Sequence, residues 1–189
     1  MFRALLLLII AFSSLAANAA DFKFGFAADY GVVALDDPEG DGKQTGIFYG
    51  AALTGNYPLK WRDTSLVSGI GYMAGSSDAS ETDVGQDLAG YYVFSRFQTR
   101  SPLSRALPNL YSYIGAKFIG TTHKKRHTVY QGYIKEEFSN RDNSAFNLGV
   151  GLGYKFEHKG GRQSIPSFYF DAPITGKMLL VGLQYQFEF

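Results

Sequence analysis

The chain has no cysteine, and this removes disulfide scaffolds, thiolate metal sites and cysteine nucleophiles together. It also lacks an excess of either charge, with 18 Lys and Arg against 17 Asp and Glu in 189 residues. A nucleic-acid partner requires clustered cations to neutralise phosphates, so this balance excludes that class. Beyond residue 20 no apolar run approaches the length of about 18 residues that a membrane-spanning helix needs. What the chain does have is 22 Gly beside 16 Phe and 13 Tyr. Glycine is poor in helix interiors and aromatics favour pleated surfaces, so the composition points to β structure.

The N-terminus has its own pattern. Arg3 gives a positive start, Ala4 to Phe12 (ALLLLIIAF) an apolar stretch, and Ala17-Asn18-Ala19 a small-x-small site. Together these predict a secretory signal peptide over residues 1–19 that is cleaved, leaving a single domain over 20–189. The apolar stretch breaks at Ser13 and Ser14, too early to span a bilayer as a helix.

From Asp21 onward the chain alternates. Phe22, Phe24, Phe26, Ala28, Tyr30 and Val32 are apolar, while Lys23, Gly25, Asp29 and Gly31 lie between them. Phe146, Leu148, Val150, Leu152, Tyr154 and Phe156 alternate with Asn147, Gly149, Gly151, Gly153, Lys155 and Glu157. Leu179 to Phe189 does the same, with Gly182, Gln184, Gln186 and Glu188 on the other parity. A period of two is a strand with one apolar face. Runs of this length fit a transmembrane strand of about nine to eleven residues better than the five or six usual in soluble sheets.

Open sheet edges are not tolerated in hydrocarbon, so such strands close into a barrel, with an even number in bacterial single-chain cases. Seven strands are clear, at 22–34, 45–57, 65–75, 88–99, 110–121, 144–157 and 178–189. The eighth is either strand seven at 162–171 or a strand six at 128–138. The first is preferred because Tyr57, Phe97, Tyr154, Phe156, Tyr185, Phe187 and Phe189 then share one end as an interfacial girdle. The expected fold is an all-β, closed antiparallel transmembrane barrel of eight strands with both termini periplasmic. Its outer loops are 35–44, 76–87, 122–143 and 172–177, the third of them a hairpin prolonging its two strands. The periplasmic turns lie near 58–64, 100–109 and 158–161.

The stretches Ser68-Gly69-Ile70-Gly71-Tyr72, Tyr113-Ile114-Gly115-Ala116 and Gly149 to Phe156, with the terminal Val181 to Phe189, resemble the small eight-stranded outer-membrane barrels of the OmpA/OmpX type. The resemblance covers the mature chain and implies a place in the Gram-negative outer membrane. It also implies that Leu183, Tyr185, Phe187 and Phe189 act as a signal to the outer-membrane assembly machinery. That family holds adhesins, structural anchors and a few lipid-modifying enzymes, and a fold does not fix a function.

Eight strands enclose room for side chains and little else. Parity directs Lys23, Asp29, Arg96, Lys117, Lys155, Glu157 and Glu188 inward, where charges persist only when paired, so they are read as a polar plug. His123 and His127 have helical zinc spacing, yet they flank Lys124, Lys125 and Arg126, a basic loop tip that repels metal. The glycines at 149, 151 and 153 are read as room for large neighbours, since no helix follows them to make a phosphate loop. Ser139-Asn140 follows Glu137-Phe138 and lacks the His that a barrel deacylase of the outer membrane needs. Neither a catalytic group nor a cofactor or metal site is expected. Loops 35–44 and 76–87 carry net charges of −3 and −4, and loop 122–143 carries +2. Lipopolysaccharide phosphates and their bridging divalent ions suit both signs. The sequence therefore reads as a monomeric outer-membrane barrel with a structural or surface-interaction role and no open pore. A barrel enzyme modifying lipid A or another envelope lipid is the alternative.

Overall fold

A computed structural model of the chain describes residues 22–36, 43–59, 63–78, 84–127 and 138–189. The signal segment 1–19 and its cleavage site lie outside the described residues, as do most of residues 128–138 and the tips of the first three expected outer loops. The strands are β1 Lys23–Asp36, β2 Lys43–Pro58, β3 Ser65–Asp78, β4 Val84–Arg100, β5 Leu110–His127, β6 Phe138–Tyr154, β7 Gln163–Thr175 and β8 Met178–Glu188. A two-residue segment, Phe156–Glu157, continues β6 beyond Lys155 and pairs with the start of β7.

Each strand is antiparallel to its neighbours, and β6 pairs with β7 just as β8 pairs with β1, so the sheet closes. The closing seam runs from Gly25↔Glu188 to Leu35↔Met178, and the Phe189 amide donates to the Phe24 carbonyl at 2.9 Å. Strand seven is thus the segment that begins at Gln163. Residues 122–127 and 138–143 form the expected hairpin extension, paired as far as Arg126↔Phe138.

The strands are longer than the alternation suggests, reaching 18 residues in β5 and 17 in β4 and β6. Loops expected at 35–44, 76–87, 122–143 and 172–177 are accordingly shorter. Their flanking residues stay in the ladder because a backbone amide and carbonyl still need partners where lipid no longer selects apolar side chains. The last of these loops reduces to a tight turn at Gly176 and Lys177, with Gly176 at φ 78°. That conformation favours glycine, and a Cβ there would also meet the Ser144 carbonyl.

At the opposite end, which carries the start of β1 and the end of β8 and is called lower below, three short connections join the strands. Leu59 donates to the Thr64 carbonyl at 2.8 Å, Ser101 caps the 3-10 turn Pro102–Arg105, and His158 donates to the Arg162 carbonyl around the turn Lys159–Gly161. Outside the barrel lie Phe24, Phe26, Tyr30, Ile47, Tyr49, Leu53, Ile70, Tyr72, Tyr91, Ile114, Leu148, Val150, Phe168, Leu183 and Tyr185, all exposed. Around the lower seam the rings of Phe26, Phe187 and Phe189 pack with centres 5.1–6.0 Å apart, and Tyr154 meets Phe156 at 4.9 Å. The core sits inside the barrel, on the other parity of each strand.

Candidate functional site

The lower half of the lumen holds a chain of polar side chains built on alternate positions of β8. Gln184, Gln186 and Glu188 all point inward because each is two residues from the next. Arg96 on β4 donates one guanidinium nitrogen to Gln184 Oε1 at 2.6 Å and another to Gln186 Oε1. Each glutamine then passes its own amide hydrogen to a carboxylate, Gln184 to Asp29 at 2.9 Å and Gln186 to Glu188 at 2.5 Å. Tyr92 donates to the other oxygen of Asp29, and Asn56 donates to Glu188 at 2.8 Å. One cation is thereby tied through two neutral amides to two buried anions, across the seam between β8 and β1. Such charge-assisted bonds offset the loss of hydration that an isolated buried charge would suffer.

Above this chain Lys117 meets Asp171 at 2.6 Å, with its ammonium 4.4 Å from the centre of the Tyr169 ring. Arg96 likewise lies over the Tyr113 ring at 4.3 Å. These tyrosines fit because small residues face them: a Cβ at Gly151 would run into the Tyr113 ring, and one at Gly182 would come within 3.0 Å of Tyr169. The glycine run in β6 is therefore packing space, as its alternation suggests.

The upper lumen changes character. Val33, Leu35, Phe48, Met73, Leu88, Ile119, Ala145, Met178 and Leu180 are buried together as an apolar layer. Above it sits a second polar group. Gln86 donates to Gln44 at 2.9 Å, Ser77 donates to the same oxygen at 3.2 Å, and buried His123 lies 3.3 Å from Gln86 Oε1 and 2.9 Å from Thr121 Oγ1.

Of the seven charges directed inward by parity, Asp29, Arg96, Lys117 and Glu188 lie in the lumen. Lys23 and Lys155 sit at the lower rim, Lys23 against the Gly161 carbonyl at 3.5 Å and Lys155 3.9 Å from Glu157. Glu157 keeps the inward parity, opposite Gln163, which is itself opposite buried Glu188, but it stands at the rim with its side chain 70% exposed. The strand is interrupted at Lys155, whose amide donates to the Asn109 carbonyl at 2.9 Å, and the register with β7 runs on unshifted from Gly153↔Ser167 to Phe156↔Ser164. His123 is also not on a loop, because β5 carries it into the buried upper group. Parity over β7 and β8 had the information to add Asp171, Gln184 and Gln186. The apolar layer had no signal, since an inward Leu88 or Ile119 looks like noise beside an outward apolar series.

Leu183, Tyr185 and Phe189 are exposed on the lipid side of β8, with Phe187 half-buried among its neighbours. Lys124, Lys125 and Arg126, read from the sequence as a loop tip, are corrected: they lie within β5, whose ladder sets them opposite Asp87, Gln86 and Gly85, and Lys124 is exposed. One arrangement was not legible in the sequence. His158 Nε2 lies 2.8 Å from Ser164 Oγ, a base against a hydroxyl, with the His158 ring stacked on Phe187. Ser164 is only 2% exposed, and no carboxylate orients the imidazole among the described residues. A nucleophile needs both access and an oriented base. No group of three or more His, Asp or Glu side chains suited to a metal occurs among the described residues.

No protein-family model and no curated protein matches the chain. Among solved structures it is similar to Neisserial surface protein A, at 17% identity over 88% of this chain and 97% of that one, with a TM-score of 0.48. It is similar to Ail of Yersinia pestis in complex with the heparin analogue sucrose octasulfate, at 14% identity over 89% and 99%, TM-score 0.44. It is also similar to the N-terminal β-barrel domain of Pseudomonas aeruginosa OprF, at 14% identity over 88% and 97%, TM-score 0.42.

A closed antiparallel barrel with an apolar outside and a polar inside has no edge to hide and no unpaired backbone facing lipid. That architecture is the one by which chains of the Gram-negative outer membrane span their bilayer, and this chain is a barrel of that small eight-stranded type.

Proposed function

We propose that the protein is a monomeric outer-membrane barrel with a structural or surface-interaction role, without an open pore and without catalysis. The observation that carries this reading is the filled lumen. An apolar layer lies over a charge network in which Arg96 and Lys117 are tied to carboxylates directly or through an amide, and this packing supports a lumen without an open pore. Conduction needs a wider, water-lined barrel. The test is planar-bilayer recording of the refolded protein: a flat baseline is expected, and reproducible unitary steps would reject the plugged lumen.

In this reading the signal segment 1–19 is removed and the lower end, with both termini, faces the periplasm. The terminal Leu183, Tyr185, Phe187 and Phe189 address the assembly machinery. The upper hairpin faces outward, where Lys124, with Asp87 and Asp142 on the flanking strands, stands above the lipid-facing Phe118 at the level of lipopolysaccharide headgroups. Mixed charge of this kind suits phosphates bridged by divalent ions.

The pair His158 and Ser164 favours a second reading, a barrel enzyme acting on an envelope lipid. Mass spectra of lipid A and phospholipids from cells carrying the protein or its Ser164→Ala variant separate the two. Identical spectra are expected, and a lipid species lost with Ser164 would establish the enzyme.

A further inference from the structure

The near-neutral total charge hides a difference between the two ends of the barrel. The upper connections 37–42, 79–83, 128–137 and 176–177 hold two Lys against seven Asp or Glu. The lower connections 59–64, 101–109 and 155–162 hold six Lys or Arg against two acidic residues, Asp63 and Glu157. Both of those acids already face a cation, Asp63 with Arg100 at 3.8 Å and Glu157 with Lys155 at 3.9 Å. The lower rim keeps a positive excess.

Part of this excess is gathered beside the closing seam. Lys159 and Arg162 lie on the turn between β6 and β7, both exposed, and their side chains hold neither an ion pair nor a hydrogen bond among the described residues. Lys23, at the start of β1, is brought to the same turn, its ammonium 3.5 Å from the Gly161 carbonyl. The sheet puts them within reach of one another, because Gln163 pairs with Glu188 and Glu188 with Gly25. A Cβ on Gly160 or Gly161 would meet nothing within 4 Å, so the turn between the cations is open. Apolar rings stand at the adjoining edge of the outer wall. Phe24 follows Lys23, and the bond from the Phe189 amide to the Phe24 carbonyl sets the two side by side, 68% and 58% exposed. Cations at the rim with rings against the lipid face match the order in which a phospholipid presents its phosphate and its acyl chains.

We propose that Lys23, Lys159 and Arg162 form a binding surface for the headgroup of an anionic phospholipid of the phosphatidylglycerol class, with its acyl chains against Phe24 and Phe189. This rests on the reading of the chain as an outer-membrane barrel whose lower end lies in the periplasmic leaflet. An anionic headgroup gains from each cation within a Debye length, whereas a zwitterionic one carries its own ammonium and gains much less. Arg162 offers a fork of donors to phosphate oxygens, and the lysines act as mobile point charges.

The test is native mass spectrometry of the refolded mature barrel in detergent with dioleoyl-phosphatidylglycerol and dioleoyl-phosphatidylcholine at equal concentrations. The wild type should retain the first about fivefold more than the second, the size of effect one cation at a charged surface supplies, and rising ammonium acetate should erode the preference. Lys159→Gln combined with Arg162→Gln should bring the ratio close to one, and Arg162→Lys, which keeps the charge, should retain most of it. Lys23→Gln reduces the ratio by a separate route should the double variant fail to fold, with heat-modifiable mobility as the check on folding. Equal retention of the two lipids by the wild type would overturn the proposal. A preference unchanged in the double variant and in Lys23→Gln would place the lipid elsewhere and overturn this assignment. Cosedimentation with purified peptidoglycan sacculi, lost in the double variant and unaccompanied by any lipid preference, would overturn it in favour of the cell wall as partner. The detergent-solubilised barrel has no sidedness, so loss of the preference leaves the barrel's orientation standing, and an inverted orientation in cells leaves the measured preference standing.

Discussion

Single residues matter here through which side of the wall they occupy. Val150 is outside and exposed to lipid, so Val150→Arg near the midplane should cost about 2–4 kcal/mol in a folding titration into bilayers. Asn147 faces the other way and is fully buried, with its amide donating to the Met178 carbonyl at 2.8 Å. Inside the barrel the sharper test is the ion pair of Lys117 and Asp171. Lys117→Met strands a buried carboxylate and should destabilise by about 3–5 kcal/mol, whereas Lys117→Met combined with Asp171→Asn should recover much of that loss. A double-mutant cycle in urea measures the coupling, and additive losses would mean that the pair does not interact. At Gly151 the same logic is steric: Gly151→Val overlaps the Tyr113 ring and should cost about 1–3 kcal/mol, with relief when Tyr113 is also shortened to Leu.

At the scale of elements, β8 combines two demands. Its outward residues face lipid and its inward Gln184, Gln186 and Glu188 carry the polar chain across the seam. Deleting Phe189 removes one ring from the lower cluster and one amide bond to Phe24, so refolding into detergent should survive with a loss on the order of 1–3 kcal/mol. If the terminal residues also address the assembly machinery, the same deletion should sharply lower the amount in the outer membrane and leave protein in the periplasm. Cell fractionation with immunoblotting decides this, and normal outer-membrane levels would leave Phe189 as a girdle residue only. The β5–β6 hairpin is the matching test of orientation. Trypsin added to intact cells should cut in the connection between β5 and β6, which holds Lys135, while the barrel remains folded, whereas cleavage only after the outer membrane is opened would invert the topology.

How far these elements can be read from sequence depends on the solvent each face meets. Lipid demands an apolar residue at every second position, which is why β1, β6 and β8 are plain in Phe22 to Val32, Phe146 to Phe156 and Leu179 to Phe189. Above the lipid that demand stops but hydrogen bonding does not, so the upper ends of β4, β5 and β6 leave no periodic trace. The lumen is legible only as a direction. Parity points Asp29, Arg96 and Glu188 inward, yet nothing in spacing says that Arg96 reaches its carboxylates through Gln184 and Gln186 on β8. Nor does it say that Phe48, Met73 and Leu88 converge into an apolar layer. Past Lys155 the direction holds but burial does not, because Glu157 stands at the open rim.

At the scale of the whole molecule, closure and the two-faced wall are one property, since the barrel needs lipid outside to balance the polar chain it holds inside. The measurement that bears on this most directly is electrophoresis of the outer-membrane fraction with and without boiling. A closed barrel stays folded in cold detergent and runs faster than its boiled form, and it leaves the membrane only with detergent. The predicted result is a heat-modifiable band confined to the outer-membrane fraction. A band of unchanging mobility, released by buffer alone, would contradict the closed transmembrane barrel.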